Sequence, residues 1–197
     1  MKHLILFFSA AVFLLFTESA VSAQQIVYAD ASAFPLYGKV SEDTDGRYER
    51  LPSHLKTVSR EPVWYLGRNS AGLYIRFRSN STSIHLRWES MFNNSMTHMT
   101  DTGTKGLDLY AVQDGEWRHV CSAQPQGKKS ERAVIRYMDP IEREYMLYLS
   151  LYDGISSLEI GVDEGASLDM PAVDSPSSER SVVMYCSRIL QGGCANR

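Results

Sequence analysis

Cysteine is scarce in this sequence, with only Cys121, Cys186 and Cys194 among 197 residues. An odd count leaves at least one thiol free or intermolecular, so a fully paired disulfide framework is excluded. No CxxC or His-x-x-x-His spacing occurs, and a zinc site has no support. Cys186 and Cys194 either pair locally or sit as small buried side chains; a thiol link between two copies through Cys194 is a third option, so the oligomeric state stays open. Positive charge is not in surplus either: 20 Lys and Arg stand against 23 Asp and Glu, a net charge of −3. Without a cationic excess to displace counterions from a polyphosphate, no nucleic-acid partner is expected. Glycine (13) and proline (7) are too few for a collagen-like or linker-like chain. Helical periodicity is nowhere sustained.

Long apolar runs are confined to the N-terminus. Met1-Lys2-His3 leads into an apolar stretch over residues 4–16, and Val21-Ser22-Ala23 resembles a cleavage site. The stretch is shorter than the roughly 20 residues that cross a bilayer as a helix. Residues 1–23 therefore read as a signal peptide. The mature chain is expected to be exported to the periplasm or the extracellular space, free of the membrane after cleavage. No cysteine at the cleavage point invites lipid attachment. The whole chain is 44% hydrophobic and 11% aromatic, enough apolar surface for a packed core.

Strand signals fill residues 24–165. In residues 73–78, Leu73, Ile75 and Phe77 alternate with Tyr74, Arg76 and Arg78; in residues 84–88, Ile84, Leu86 and Trp88 alternate with His85 and Arg87. The polar residues 79–83 between them predict a hairpin. A second hairpin is predicted from residues 107–112 and 117–120, joined through Asp114-Gly115, whose glycine accepts the positive φ of a tight turn. Further runs cover residues 133–137, 145–152 and 158–162, with a turn opening at Asp153-Gly154. Short alternating runs with turn chemistry between them predict an all-β fold, an antiparallel two-sheet β-sandwich of jelly-roll-like type. Residues 166–180, rich in Asp, Ser and Pro, read as a linker. The continuous apolar run Val182-Val183-Met184-Tyr185 then suits a strand buried on both faces, as in an α/β domain.

Several side chains stand out singly. Trp88 is in register with Ile84 and Leu86 and is expected in the core. Trp117 follows a tight turn and Trp64 follows Pro62 at an expected strand start; both are candidates for stacking on a sugar. Arg76, Arg78 and Arg87 would line the polar face of the first hairpin, either as a solvated face or as a cationic strip for acidic sugars. His98 lies in a polar loop between strands, where binding residues often sit.

The C-terminal residues Tyr185-Cys186-Ser187-Arg188-Ile189-Leu190-Gln191-Gly192-Gly193-Cys194-Ala195-Asn196-Arg197 resemble the segment that opens the catalytic domain of secreted SGNH (GDSL-like) esterases. Val63-Trp64, residues 70–77, His98-Met99, Thr102-Gly103, Gly106-Leu107-Asp108-Leu109-Tyr110 and residues 158–162 look like the β-sandwich domain that precedes the hydrolase in such two-domain enzymes. The resemblance implies a bacterial protein, polysaccharide deacylation through a serine acyl-enzyme, and neither metal nor organic cofactor. It also implies that residues 181–197 are the first strand of a hydrolase domain cut short.

At the family's nucleophile position this chain has Arg188, whose guanidinium stays protonated and cannot attack a carbonyl. Cys186 replaces a glycine two residues earlier, and Ser187 is one residue out of phase, turned to the other face of the strand. The family's oxyanion-hole residues and its Asp-x-x-His pair find no counterpart before Arg197. No catalytic residue is therefore assigned, and the chain is expected to be inactive alone. In intact relatives the loop of His98 would lean over the active site. The expected role is that of an accessory domain of an esterase acting on a glycan ester; the alternative is a stand-alone exported glycan-binding module.

Overall fold

A computed structural model of the chain describes residues 25–172. Nine strands occur there: β1 (Ile26–Asp30), β2 (Leu36–Tyr37), β3 (Tyr74–Ser79), β4 (Ile84–Ser90), β5 (Leu107–Gln113), β6 (Glu116–Ala123), β7 (Lys129–Ile135), β8 (Arg143–Tyr148) and β9 (Ile155–Asp163). They form a four-stranded sheet in the order β1-β9-β4-β7 and a five-stranded sheet in the order β2-β3-β8-β5-β6. Every pairing is antiparallel, so the expected all-β sandwich is what the chain forms.

The alternation read from the sequence sets the faces. Ile75, Phe77, Leu107, Leu109, Tyr145 and Leu147 of one sheet meet Ile84, Leu86, Trp88, Leu158, Ile160 and Val162 of the other. Full burial of a large apolar side chain contributes about 1.5–3 kcal/mol. Trp88 is 2% exposed, as expected of a core residue, and its indole N–H donates to the Lys105 carbonyl at 3.3 Å. The β5–β6 hairpin also forms as predicted, with Asp114 (φ 54°) and Gly115 (φ 78°) both left-handed in the turn.

The first predicted hairpin does not form. β3 pairs with β2 and β8, whereas β4 pairs with β7 and β9 in the other sheet. Alternation fixes which face is buried but not the partner, and the polar residues between the two strands make a corner instead of a turn. The corner closes on Asp163 at the end of β9. Its carboxylate accepts from Ser81 Oγ (2.8 Å), the Thr82 N–H (2.8 Å) and Oγ1 (2.6 Å), and the Ser83 N–H (3.0 Å) and Oγ (2.6 Å). The cationic strip is lost with the hairpin. Arg76 and Arg78 lie on the five-stranded sheet, paired with Glu144 and Glu142, while Arg87 lies on the other, paired with Glu131 and Glu159.

Two short helices interrupt the strands: α1 (Glu61–Gly67) and α2 (Asp101–Lys105). Trp64, expected at a strand start, is on α1. Seven residues are too few to show a helical period, but Glu61 and Pro62 in the first turn are a helix-start signal. Arg50 satisfies the other end, donating from Nε to the Asn69 carbonyl (2.7 Å) and from Nη2 to that of Leu66 (3.3 Å). The run expected over residues 133–137 stops at Ile135, and Tyr137 takes a left-handed φ of 61°.

The sandwich continues past 165. Ala166 and Leu168 pack on the core, Ser79 Oγ donates to the Ser167 carbonyl at 2.6 Å, and Asp169 exchanges two backbone hydrogen bonds with Arg78. Residues 166–169, placed in the linker on composition, are thus held against the body of the domain. The signal peptide expected at 1–23, the rest of the expected linker, the strand expected at 182–185 and Cys186, Ser187, Arg188 and Cys194 lie outside the described residues.

Candidate functional site

Gly106-Leu107-Asp108-Leu109-Tyr110 spans the junction of α2 with β5. A Cβ on Gly106 would stand 2.3 Å from the Thr102 carbonyl oxygen and 2.8 Å from that of Ala123, so the helix end and β6 approach too closely for any side chain. Leu107 and Leu109 point into the core, which leaves Asp108 and Tyr110 on the outer face. Asp108 accepts from Ser122 Oγ at 2.5 Å, and the same hydroxyl lies 3.2 Å from His119 Nε2.

Serine, histidine and aspartate thus meet, but in an order unsuited to acyl transfer. In a nucleophilic triad the imidazole takes the serine proton and the carboxylate orients the imidazole. Here the serine proton is directed to the carboxylate.

Tyr110 belongs to an aromatic row that crosses all five strands. Ring centroids are 5.2 Å apart for Tyr37–Tyr74, 5.1 Å for Tyr74–Tyr148, 5.6 Å for Tyr148–Tyr110 and 5.3 Å for Tyr110–His119. Tyr37 and Tyr74 stack within 20° of parallel, whereas Tyr110 meets Tyr148 and His119 edge to face at 76°. Beside the row, the buried guanidinium of Arg76 sits 5.4 Å from the Trp117 ring centre and 5.8 Å from that of Tyr37. Trp117 is 37% exposed. Lys56 Nζ stands 5.9 Å from the centre of the Trp64 ring, and no ring contact joins Trp64 to Trp117. The two tryptophans singled out from the sequence therefore do not form one stacking platform.

His98 is exposed in the loop between β4 and α2. The buried Asp153 carboxylate holds that loop, accepting from the Phe92 N–H (2.9 Å) and the Asn94 N–H (2.7 Å). Lys105, 2% exposed, donates to Asn93 Oδ1 at 2.7 Å and pairs with Asp101 at 3.1 Å. Sequence reasoning missed this buried lysine; its only signal was the four-residue spacing from Asp101. Cys121 is half-buried, and burial, with Asp108 second, pushes its thiol pKa up, away from nucleophilic or metal-binding chemistry. Among the described residues no group of three or more His, Cys, Asp or Glu side chains is placed to hold a metal ion.

A cleft of about 600 Å³ opens where the sheets part, between the β5–β6 turn and residues 136–142. Val112, Val120, Ile135 and Met138 give it an apolar floor, and Asp114, Tyr137, Asp139 and Glu142 stand on its rim. Tyr137 is 94% exposed. It was read from the sequence only as the end of a strand, and neither its left-handed backbone nor its exposure has a pattern to announce it. A second hollow, of about 370 Å³, lies on the outer face of the other sheet among Arg87, Glu89, Lys129, Glu131 and Glu159, whose charges are mutually paired. There the Arg87 guanidinium covers the Tyr28 ring at 3.5 Å. Burial and a hydrogen bond to Glu131 push the Tyr28 hydroxyl up to about 12.

Residues 26–168 match the family described as GxDLY, the N-terminus of SGNH-hydrolase-type esterases. The chain belongs to this family. The motif that gives the GxDLY family its name is here residues 106–110, with Gly106 at the close approach and Asp108 and Tyr110 on the outer face. Among solved structures, this GxDLY domain is similar to a GDSL-like lipase from Bacteroides ovatus, with 34% identity and a TM-score of 0.71 over 75% of this chain and 43% of that one. It shares its fold with the salicylyl-acyltransferase SsfX3 of a tetracycline biosynthetic pathway, at 19% identity and a TM-score of 0.53, covering 79% of this chain and 44% of that one. The match therefore spans less than half of either enzyme. No curated protein is matched.

Proposed function

We propose that this GxDLY domain is the accessory N-terminal part of an exported SGNH-type esterase that deacylates a polysaccharide, and that it does no acyl transfer of its own. The observation that carries this is the direction of the hydrogen bonds at Ser122. Its hydroxyl donates to Asp108, so His119 meets an oxygen whose proton is already committed and can only donate to it. A serine held that way has no general base. The partner is then a glycan ester handled by a hydrolase domain, which the sandwich positions.

Two experiments test the reading. The full chain alone should hydrolyse p-nitrophenyl acetate no faster than its Ser122→Ala variant. Residues 25–172, exchanged for the matching part of the Bacteroides ovatus relative, should preserve that enzyme's hydrolysis of an acetylated polysaccharide within about tenfold, whereas deleting the sandwich should cost more than that. Turnover by the chain alone that disappears with Ser122→Ala would overturn the proposal, as would a deletion without effect.

A further inference from the structure

We infer that the cleft between the β5–β6 turn and residues 136–142 binds a neutral glycan, with a sugar ring stacked on Tyr137. Two independent features of the structure meet there. The first is the cleft itself, about 600 Å³ with an apolar floor, within the size range of small-ligand sites. The second is the backbone at Tyr137, where φ is 61° and the ring is 94% exposed. A bulky residue in the left-handed region costs about 1–3 kcal/mol, and such strain persists only where the surroundings impose it.

The surroundings do impose it. The Met138 N–H donates to the Thr82 carbonyl at 2.9 Å, and the Ile141 N–H to that of Asp139 at 2.8 Å. Arg143 Nη1 reaches the carbonyls of Asp139 (2.8 Å) and Ile141 (3.2 Å). The loop is thereby fixed before any ligand arrives, which reduces the ordering cost of binding.

The chemistry of the rim selects the ligand. A pyranose presents an apolar C–H face to an aromatic ring and hydroxyl donors around its edge. The Asp114 and Asp139 carboxylates make no hydrogen bond or ion pair among the described residues, so both are open to accept from hydroxyls. Of the lining carboxylates, Glu142 is paired with Arg78, which leaves Asp114 and Asp139 as the unpaired charges, while the guanidinium of Arg143 is turned to backbone carbonyls. A uronate would meet like charge there; an uncharged sugar would not.

The inference rests on the proposed work beside a polysaccharide, but its test is separate, because binding is read on the full chain without a hydrolase domain. Xylohexaose and cellohexaose serve as neutral probes and hexagalacturonate as the acidic one, titrated by calorimetry. At least one neutral probe should bind, and the acidic probe should bind at least about tenfold more weakly. Tyr137→Asn, which keeps a residue tolerant of left-handed φ, should weaken the neutral probe by about tenfold. Asp139→Asn should narrow the preference for neutral over acidic sugar. The melt of Asp139→Asn should match the parent, and that of Tyr137→Asn should not fall below it, since asparagine relieves the left-handed strain. Absence of neutral binding, preference for hexagalacturonate, or loss of binding with Trp64→Ala or Trp117→Ala but not with Tyr137→Asn would each overturn the inference. Esterase activity of the exchanged enzyme would be untouched by any of these results.

Discussion

Asp163→Ala should destabilise the domain by about 4 kcal/mol, because it strips the acceptor from a corner where five donors converge. Asp163 is 3% exposed, so water does not replace the lost carboxylate freely. For a domain of this size the melting temperature should fall by roughly 10 °C. Circular dichroism melts at neutral pH measure the drop, and a fall of less than about 3 °C would show that the corner holds without its acceptor.

The same group gives a pH dependence of defined sign. Burial alone would raise the Asp163 pKa, but hydrogen bonds from Ser83, Thr82 and Ser81 outweigh it and hold the carboxyl below its ordinary value. A folded-state pKa below the unfolded one means that the stabilisation is complete above about pH 4 and is lost as the pH falls through the folded value. Asp163→Asn should therefore flatten the acid limb of melting temperature against pH. Parallel acid limbs in parent and variant would contradict the assignment.

Gly106→Ala is expected to cost about 3 kcal/mol or more. The reason is not backbone conformation, since Gly106 has an ordinary φ of −75°. A methyl group there would overlap two carbonyl oxygens, of Thr102 and Ala123, and both are backbone atoms that no rotamer change can move aside. Urea denaturation should show the midpoint shifted down with little change in slope. Thr102→Ser should give no rescue, because the obstructing atom is common to both residues. A loss below about 1 kcal/mol would mean that α2 swings away from β6 without penalty.

Faces were legible in the sequence and partners were not. The alternation in residues 73–78 and 84–88 placed Ile75, Phe77, Leu86 and Trp88 correctly in the core, yet it said nothing about a carboxylate some eighty residues later that turns the connection into a corner. Asp114-Gly115 was legible because the turn chemistry is local. The motif at residues 106–110 was legible as a resemblance, but its physical content, a close backbone approach and two outward side chains, needed three dimensions. Trp64 was misplaced because a helix of seven residues, about two turns, leaves no period. Tyr137 was missed as a rim residue for a different reason: a left-handed tyrosine is imposed by hydrogen bonds to the carbonyls of Thr82 and Asp139 and from the Arg143 guanidinium, residues remote or unremarkable in the sequence.

The pairing of β1 with β9 bears on how the chain folds as it is made. Ile26 lies opposite Asp163, so among the described residues the first strand has its one sheet neighbour in the last. β4 likewise waits for β7 and β9 on either side. At about 5–20 residues per second, the four-stranded sheet stays incomplete for several seconds or more after β1 has left the ribosome. During that interval the five-stranded sheet can already pair, whereas β1, β4 and the Asp163 corner must wait, so the four-stranded sheet is the later of the two to close.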